Sequence, residues 1–124
     1  KNGIKDTLKE VPAEQTILAL PFYTRLWKEV KGKKPHPEAY GMSGAESVVR
    51  ANDASPKWDE ATGQYYAEFK SSGATYKIWL EEETSLKKKL EVVKKNKTAG
   101  VAFWKLGFER AVTWTTIADA IRGW

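Results

Sequence analysis

The sequence contains no cysteine, which removes disulfides and thiolate metal sites and leaves its redox compartment unreadable. Its single histidine, His36, sits between two prolines in a polar stretch. Without companion ligands it predicts no metal site, and nothing else in the chain predicts a cofactor. No apolar run approaches the ~18 residues of a membrane span, and the N-terminus lacks the apolar segment of a signal peptide. The sequence therefore predicts neither a membrane span nor an export signal of its own. Internal repeats and low-complexity linkers are also missing. The first residue is Lys1 rather than Met, so the chain reads as a piece of something longer.

The chain has 124 residues, 41% of them hydrophobic and 30% charged, which is the composition of one globular domain with a modest core. Six Trp and five Tyr are many for this length and favour a stacking or interface role over a plain scaffold. The net charge of +5 raises the question of nucleic acid. Its lysines, however, gather in Lys31 to Lys34 and Lys87 to Lys97, the second group following Glu81, Glu82 and Glu83. Most of that second group falls off the apolar stripe of a predicted helix, and no aromatics are interleaved with it as a stacking platform requires. Nucleic acid is not an expected partner.

A short helix is expected over residues 2 to 11, with Asn2 as cap, Ile4, Leu8 and Val11 at helical spacing, and Pro12 as its stop. Ile17 to Phe22 is an apolar run of strand length that the Y-T-R-L-W segment ends, and Lys28 to Pro37 reads as a polar loop. Ser43-Gly-Ala-Glu46 reads as a capping box opening a helix to about Ala51. Gln64 to Phe69 and Thr75 to Leu80 form a candidate hairpin about Lys70-Ser71-Ser72-Gly73. A further helix carries Leu86, Leu90 and Val93 at i, i+4 and i+7, with Thr84 or Ser85 as its cap and Asn96 as its end. The last helix is expected to start at Thr113, with Trp114, Ile117, Ala118 and Ile121 on one face and Gly123 beyond it.

Between those two helices lies Ala99-Gly-Val-Ala-Phe-Trp-Lys-Leu-Gly-Phe-Glu109. Its apolar run fits a strand covered on both faces, as in a parallel sheet flanked by helices. A large aromatic, Trp104, and a carboxylate, Glu109, follow at its carboxyl end, where α/β barrels keep their ligand sites. Trp104 is a candidate sugar platform, since a flat indole matches the C–H face of a pyranose. The competing reading is a core Trp. Setting the central residues aside, the order is β-α-β with flanking helices, so the two core strands should run parallel. Two parallel strands make a poor sheet by themselves, and the pattern reads as part of a barrel.

Leu18-Ala-Leu-Pro-Phe-Tyr-Thr-Arg-Leu-Trp27 resembles the seventh barrel strand of family 18 glycoside hydrolases, with the pattern apolar-G-x-P-apolar-Y-G-R-x-aromatic. Tyr76-Lys-Ile-Trp-Leu-Glu-Glu-Glu-Thr-Ser-Leu resembles the exit of the small α+β insertion that often follows that strand, and Ala99 to Glu109 resembles the eighth strand. The Y-T-R-L-W, W-D-x-x-T-x-Q-Y-Y and W-x-L-G-x-E variants look most like the spore-germination, cortex-lytic N-acetylglucosaminidase branch. The resemblance implies an α/β chain: the C-terminal piece of a TIM (β/α)8 barrel, with its last two strands and helices and an α+β insertion. Its implied divisions are residues 1–27, helix and seventh strand; 28–80, insertion; and 81–124, last helix-strand-helix.

The same resemblance implies a glycosidase of chitin or peptidoglycan and an extracellular, cell-envelope or spore location for the parent. The family's signature, D-x-x-D-x-D-x-E, occurs nowhere in these residues. In that family the Glu protonates the glycosidic oxygen while the sugar's N-acetyl group attacks the anomeric carbon. The chain is therefore expected to be inactive alone, with no catalytic residue of its own. Glu81, Glu82 and Glu83 precede a helix, where negative charge suits the macrodipole.

Residue by residue, the resemblance implies that Tyr23 and Arg25 point into a sugar cleft, that Trp104 floors the subsite of the distorted sugar, and that Glu109 stands near an Asp of many chitinases. Thr24 replaces the pattern's Gly. Trp27, Trp58 and Trp79 either extend a glycan platform or pack inside the insertion. Expected partners are an N-acetylglucosamine-containing glycan, the remainder of the barrel, and a second copy of the chain through exposed Leu18, Leu20, Val101 and Phe103. The alternatives are a non-catalytic carbohydrate-binding module and a basic domain for acidic polymers.

Overall fold

The computed structural model describes residues 2–124. Helix α1 (Asn2–Leu8) and a short 3-10 turn (Ala13–Gln15) lead into strand β1 (Ile17–Pro21), which pairs in parallel with β7 (Gly100–Trp104), Ile17 opposite Gly100 and Pro21 opposite Trp104. A separate antiparallel sheet follows the order β3-β2-β6-β5-β4. Its strands are β2 (Thr24–Glu29), β3 (His36–Tyr40), β4 (Lys57–Asp59), β5 (Gln64–Ser71) and β6 (Ala74–Leu80), with helix α2 (Met42–Ala51) between β3 and β4. Helices α3 (Glu83–Lys95) and α4 (Ala111–Ile121) flank β7 in sequence.

The Leu18–Trp27 segment, read from the sequence as one strand, is two strands in two sheets. The parallel pair ends where the Phe22 N–H donates to the Trp104 carbonyl at 2.7 Å. The Phe22 ring is buried, stacked on Phe103 at 4.7 Å and edge-on to Trp114 at 5.6 Å. Two residues later Thr24 begins the antiparallel sheet, and its Oγ1 accepts the Glu81 N–H at 2.8 Å, 57 residues along the chain. Y-T-R-L-W is thus the start of a strand as well as the end of one. Likewise, the loop expected over Lys28 to Pro37 is strand at both ends, Lys28 and Glu29 in β2 and His36 and Pro37 in β3, because the two strands pair from Lys28–His36 to Thr24–Tyr40.

Two apolar clusters hold the layers together. Phe22, Met42, Leu86, Leu90 and Ile117 form one, with Leu20, Val101, Phe103 and Phe108 packed against it. Leu26, Ala45, Val49, Ala67 and Ile78 form the other, between α2 and one face of the antiparallel sheet. Leu20, Val101 and Phe103 thus face the helices, contrary to the exposed patch expected of them. Ile17, Ala19, Ala102 and Trp104 take the uncovered face, so β7 is covered on one side only. Period-two alternation explains the swap, since a residue and its neighbour must face opposite ways.

The helix caps lie slightly upstream of their expected positions. Glu82 caps α3, accepting the Ser85 N–H at 2.8 Å while Ser85 Oγ accepts the Glu82 N–H at 3.0 Å. Arg110 precedes α4, its N–H donating to Thr113 Oγ1 at 3.3 Å. Helix α2 has no Ser43 capping box. Its cap is Gly41, and a side chain there would crowd the Phe108 backbone at 3.1 Å. The hairpin turn is Ser72-Gly73, with φ of +50° and +76°, the positive pair of a type I′ turn.

Candidate functional site

The carboxyl ends of β1 and β7 lie side by side, because Pro21 is the register partner of Trp104. Trp104 is 65% exposed, on the same uncovered face of the strand pair as the equally exposed Ile17. Leu106 beyond it is 77% exposed. Tyr23 follows Pro21 at the junction between the sheets, and the Arg25 guanidinium lies 5.5 Å from the Tyr23 ring centroid. This cation–π contact holds a planar fork of donors at the mouth of the strand pair. Tyr23 and Arg25 line an open groove of about 370 Å³ with Trp27, Gln64, Trp79 and Glu81. Trp104 shares the end of the strand pair but does not line that groove.

Glu109 is turned toward its own loop. Its carboxylate accepts the Gly107 N–H at 2.8 Å and the Trp114 indole N–H at 3.3 Å. Backbone N–H groups, its own first and then Gly107, hold its carboxyl below the usual carboxylate range. A carboxylate so engaged braces the loop after Trp104 and is poorly suited to donate a proton.

The three glutamates at 81 to 83 have structural partners. Glu81 is almost wholly buried and accepts from Lys89 Nζ at 2.5 Å, Ser85 Oγ at 2.8 Å and Gln64 Nε2 at 2.9 Å. Burial pushes its carboxyl up, and those donors oppose the shift. Glu82 caps α3. Glu83 pairs with Arg110, which also reaches Glu46 of α2 at 2.7 Å. Burial alone would raise Glu83, but the Arg110 bonds, its own N–H and Thr113 outweigh it and leave the carboxyl low.

Thr24, where the family pattern has Gly, points away from the groove and ties β2 to Glu81. Trp58 is on the α2 face, edge-on to Tyr65 at 5.1 Å with its indole N–H on Glu60, so it does not join Trp27 and Trp79. The sequence reading passed over Tyr66 and Gln64, which share the groove's face of the sheet. Their signal was the alternation of β5, where Ala67 and Phe69 turn inward and Gln64, Tyr66 and Glu68 turn outward.

A strand pair under two helices, carrying a sheet-and-helix unit after its first strand, defines a mixed α/β fold shared with solved glycosidases. The chitinase of Chromobacterium violaceum aligns with a TM-score of 0.84 at 18% identity, covering 96% of this chain and 37% of that one. The spore cortex-lytic enzyme SleL of Bacillus megaterium aligns at 0.82 and 22% identity, covering 94% of this chain and 28% of the other. Residues 1–109 match the family model of Glycosyl hydrolases family 18, and the chain belongs to that family. The cortical fragment-lytic enzyme of Bacillus subtilis is 25% identical over 124 residues, 96% of this chain. The class V chitinase CHIT5 of Lotus japonicus is 29% identical over 127 residues, 92% of this chain. The chain spans 28% of the first of these relatives and 30% of the second.

Proposed function

We propose that this chain supplies substrate-binding residues, and not the catalytic acid, to a glycosidase of N-acetylglucosamine-containing polymers, chitin or peptidoglycan, at a spore or cell envelope. The observation that carries this reading is Trp104, a large aromatic held in the open at the carboxyl end of a parallel strand pair. Ile17 on the same face is equally exposed, so what singles out Trp104 is its place at the carboxyl end of the pair. Tyr23 and Arg25 stand at the same end and offer a ring and a fork of donors suited to an N-acetyl carbonyl or to hydroxyls. Glu109 braces the loop between Trp104 and α4.

In this reading β1 and β7 are the last two strands of a (β/α)8 barrel, and residues 28–80 are its α+β insertion, which β2 enters from Thr24. The D-x-x-D-x-D-x-E motif belongs to the remainder of the barrel, which covers Ile17, Ala19 and Ala102. Without that remainder, a second copy of the chain is the competing cover.

The test is binding and hydrolysis with the 124-residue chain. Chromogenic N-acetylglucosamine oligomers should show no turnover, and turnover abolished by mutating one of its glutamates would overturn the assignment. Trp104→Ala should weaken disaccharide binding while shifting stability by less than about 1 kcal/mol, because an exposed side chain leaves no cavity. A loss of about 3–5 kcal/mol with binding unchanged would return Trp104 to the core.

A further inference from the structure

The face of the antiparallel sheet under α2 is not covered to its end. Helix α2 stops at Ala51, and its cap, Asn52, borders an open pocket of about 370 Å³ over the far rows of the sheet. Leu26 faces α2, and alternation puts Lys28 on that same face of β2. Lys28 stands opposite His36 on one side and Tyr76 on the other, and Tyr76 stands opposite Phe69. These four make one row across four strands. Glu38, opposite Leu26, belongs to the neighbouring row, the one that α2 covers. Arg25 and Trp27 turn to the other face, so this pocket is separate from the groove at Tyr23.

The floor of the pocket is aromatic. The Phe69 and Tyr76 rings are stacked 5.0 Å apart at 7°. Both are half-buried, resting on the cluster of Leu26 and Ile78 with their other side toward the pocket. The rim is charged, and its charges are segregated. Lys28 Nζ lies 5.8 Å from the Tyr76 ring centroid, in the outer row beside His36. Glu38 is in the inner row, where it accepts the Tyr40 hydroxyl at 2.8 Å. That bond first, and burial second, push the Tyr40 pKa up, so its hydroxyl remains a donor.

Lys28 and Glu38 are diagonal neighbours, with Cβ atoms about 7 Å apart, close enough for their side chains to meet. Among the described residues neither enters an ion pair. The carboxyl end of α2 adds to the negative side, since its macrodipole favours a cation there. Asn52 donates its Nδ2 to the Val48 carbonyl at 2.8 Å, which leaves its Oδ1 to accept.

We propose that this pocket binds a small zwitterion with an apolar side chain, a free amino acid or a dipeptide with both ends charged. The ammonium meets Glu38 and Asn52 Oδ1, the carboxylate meets Lys28 with His36 beside it, and the side chain lies on the Phe69–Tyr76 stack. The volume suits a ligand of this size, near the lower end of the ~300–1,000 Å³ of small-molecule pockets. A neutral sugar uses neither charge, an anion alone meets Glu38, and a cation alone meets Lys28. The proposal goes beyond the glycan reading and does not depend on it.

The experiment titrates the 124-residue chain by calorimetry with leucine, alanyl-leucine, N-acetyl-alanyl-leucine and alanyl-leucine amide. The free-ended ligands should bind, and each blocked form should bind about tenfold more weakly, as expected for the loss of one charged contact. Glu38→Gln should weaken alanyl-leucine about tenfold and leave the N-acetyl form unchanged. Lys28→Gln should weaken alanyl-leucine equally and leave the amide unchanged. Both side chains are exposed, so neither change should move the thermal midpoint. Tighter binding of leucine identifies a free amino acid as the source, and tighter binding of the dipeptide identifies a peptide. Absence of binding at millimolar ligand, blocked forms that bind as well as free ones, or variants that bind like wild type would each overturn the proposal. Displacement of alanyl-leucine by an N-acetylglucosamine disaccharide would overturn the separateness of the two sites, and glycan binding unaffected by either variant would support it.

Discussion

The two sheets solve the same problem to different degrees. The antiparallel sheet gives β2, β6 and β5 a partner on each side and presses one face onto α2, burying Leu26, Ala67 and Ile78 against Ala45 and Val49. The parallel pair gives β1 and β7 one partner each, and only the face toward α3 and α4 is packed. Ile17 and Trp104 on the other face are each 65% exposed. The first region is complete as a layer, whereas the second has an apolar face and two edges that await neighbours. The lesson is that the sugar-binding candidates lie where the incomplete layer meets the complete one, at Tyr23, Arg25 and Trp104.

The two regions are joined by few but specific contacts. The Met42 N–H of α2 donates to the Phe108 carbonyl at 2.7 Å, and the Met42 side chain enters the cluster beneath β1 and β7. Arg110 spans both regions through Glu46 and Glu83.

The largest expected effect is at Phe22, the buried ring beneath the junction. Phe22→Ala should cost about 3–5 kcal/mol in chemical denaturation, because the Phe103 stack and the Trp114 edge contact both go with it. A cost no greater than that of a surface change would break the comparison, since the parallel pair would then have no core of its own.

Arg110→Ala should cost about 1–3 kcal/mol and separate the unfolding of the two regions, seen as a transition that differs between probes. Arg110 leaves two carboxylates behind, so Glu46→Gln and Glu83→Gln should each weaken its effect in a double-mutant cycle. Additive effects would show that the bridge does not couple them.

Acid sharpens the contrast further. Glu83 has a lowered folded-state pKa, so its contribution is present above the ordinary Glu value of about 4.3 and is lost as pH falls through the lower folded value. The stability advantage of wild type over Glu83→Gln should therefore shrink on acidification. Glu81 has a raised folded-state pKa, so its effect has the opposite sign. It protonates first in the folded protein, and wild type should gain on Glu81→Gln as pH falls toward the ordinary value. Denaturant midpoints measured across the acid range would contradict this if both differences moved the same way.

The smallest effect belongs to the hairpin of the complete sheet. Ser72→Asn should stabilise by about 0.5 kcal/mol, because Asn tolerates the positive φ of that position better than Ser. A destabilisation measured by thermal melting would exclude a strained turn there.

Much of this arrangement was legible beforehand. The stripe Leu86, Leu90 and Val93 announced α3 and is buried as expected, and the apolar runs at Ile17 and Gly100 announced parallel partners. The Glu81 to Glu83 group was legible as structural from its place before a helix. The fate of Trp104 was not, because an apolar run does not say which of its faces is covered. Nor was the division at Tyr23, since Phe22 and Thr24 belong to continuous strand-forming sequence and only Trp104 and Glu81, far along the chain, draw them into different sheets.

The sequence by itself determined the elements, the family pattern and the residue types available for a sugar, because helical stripes, turn residues and ordered motifs are local properties. Tertiary structure decided which of those residues share a surface. Pairing register aligned Arg25, Trp79 and Tyr66, and the same alternation turned Trp58 to the opposite face. The reason is geometric: a strand's side chains alternate by one residue, and which side meets solvent depends on what packs against the other.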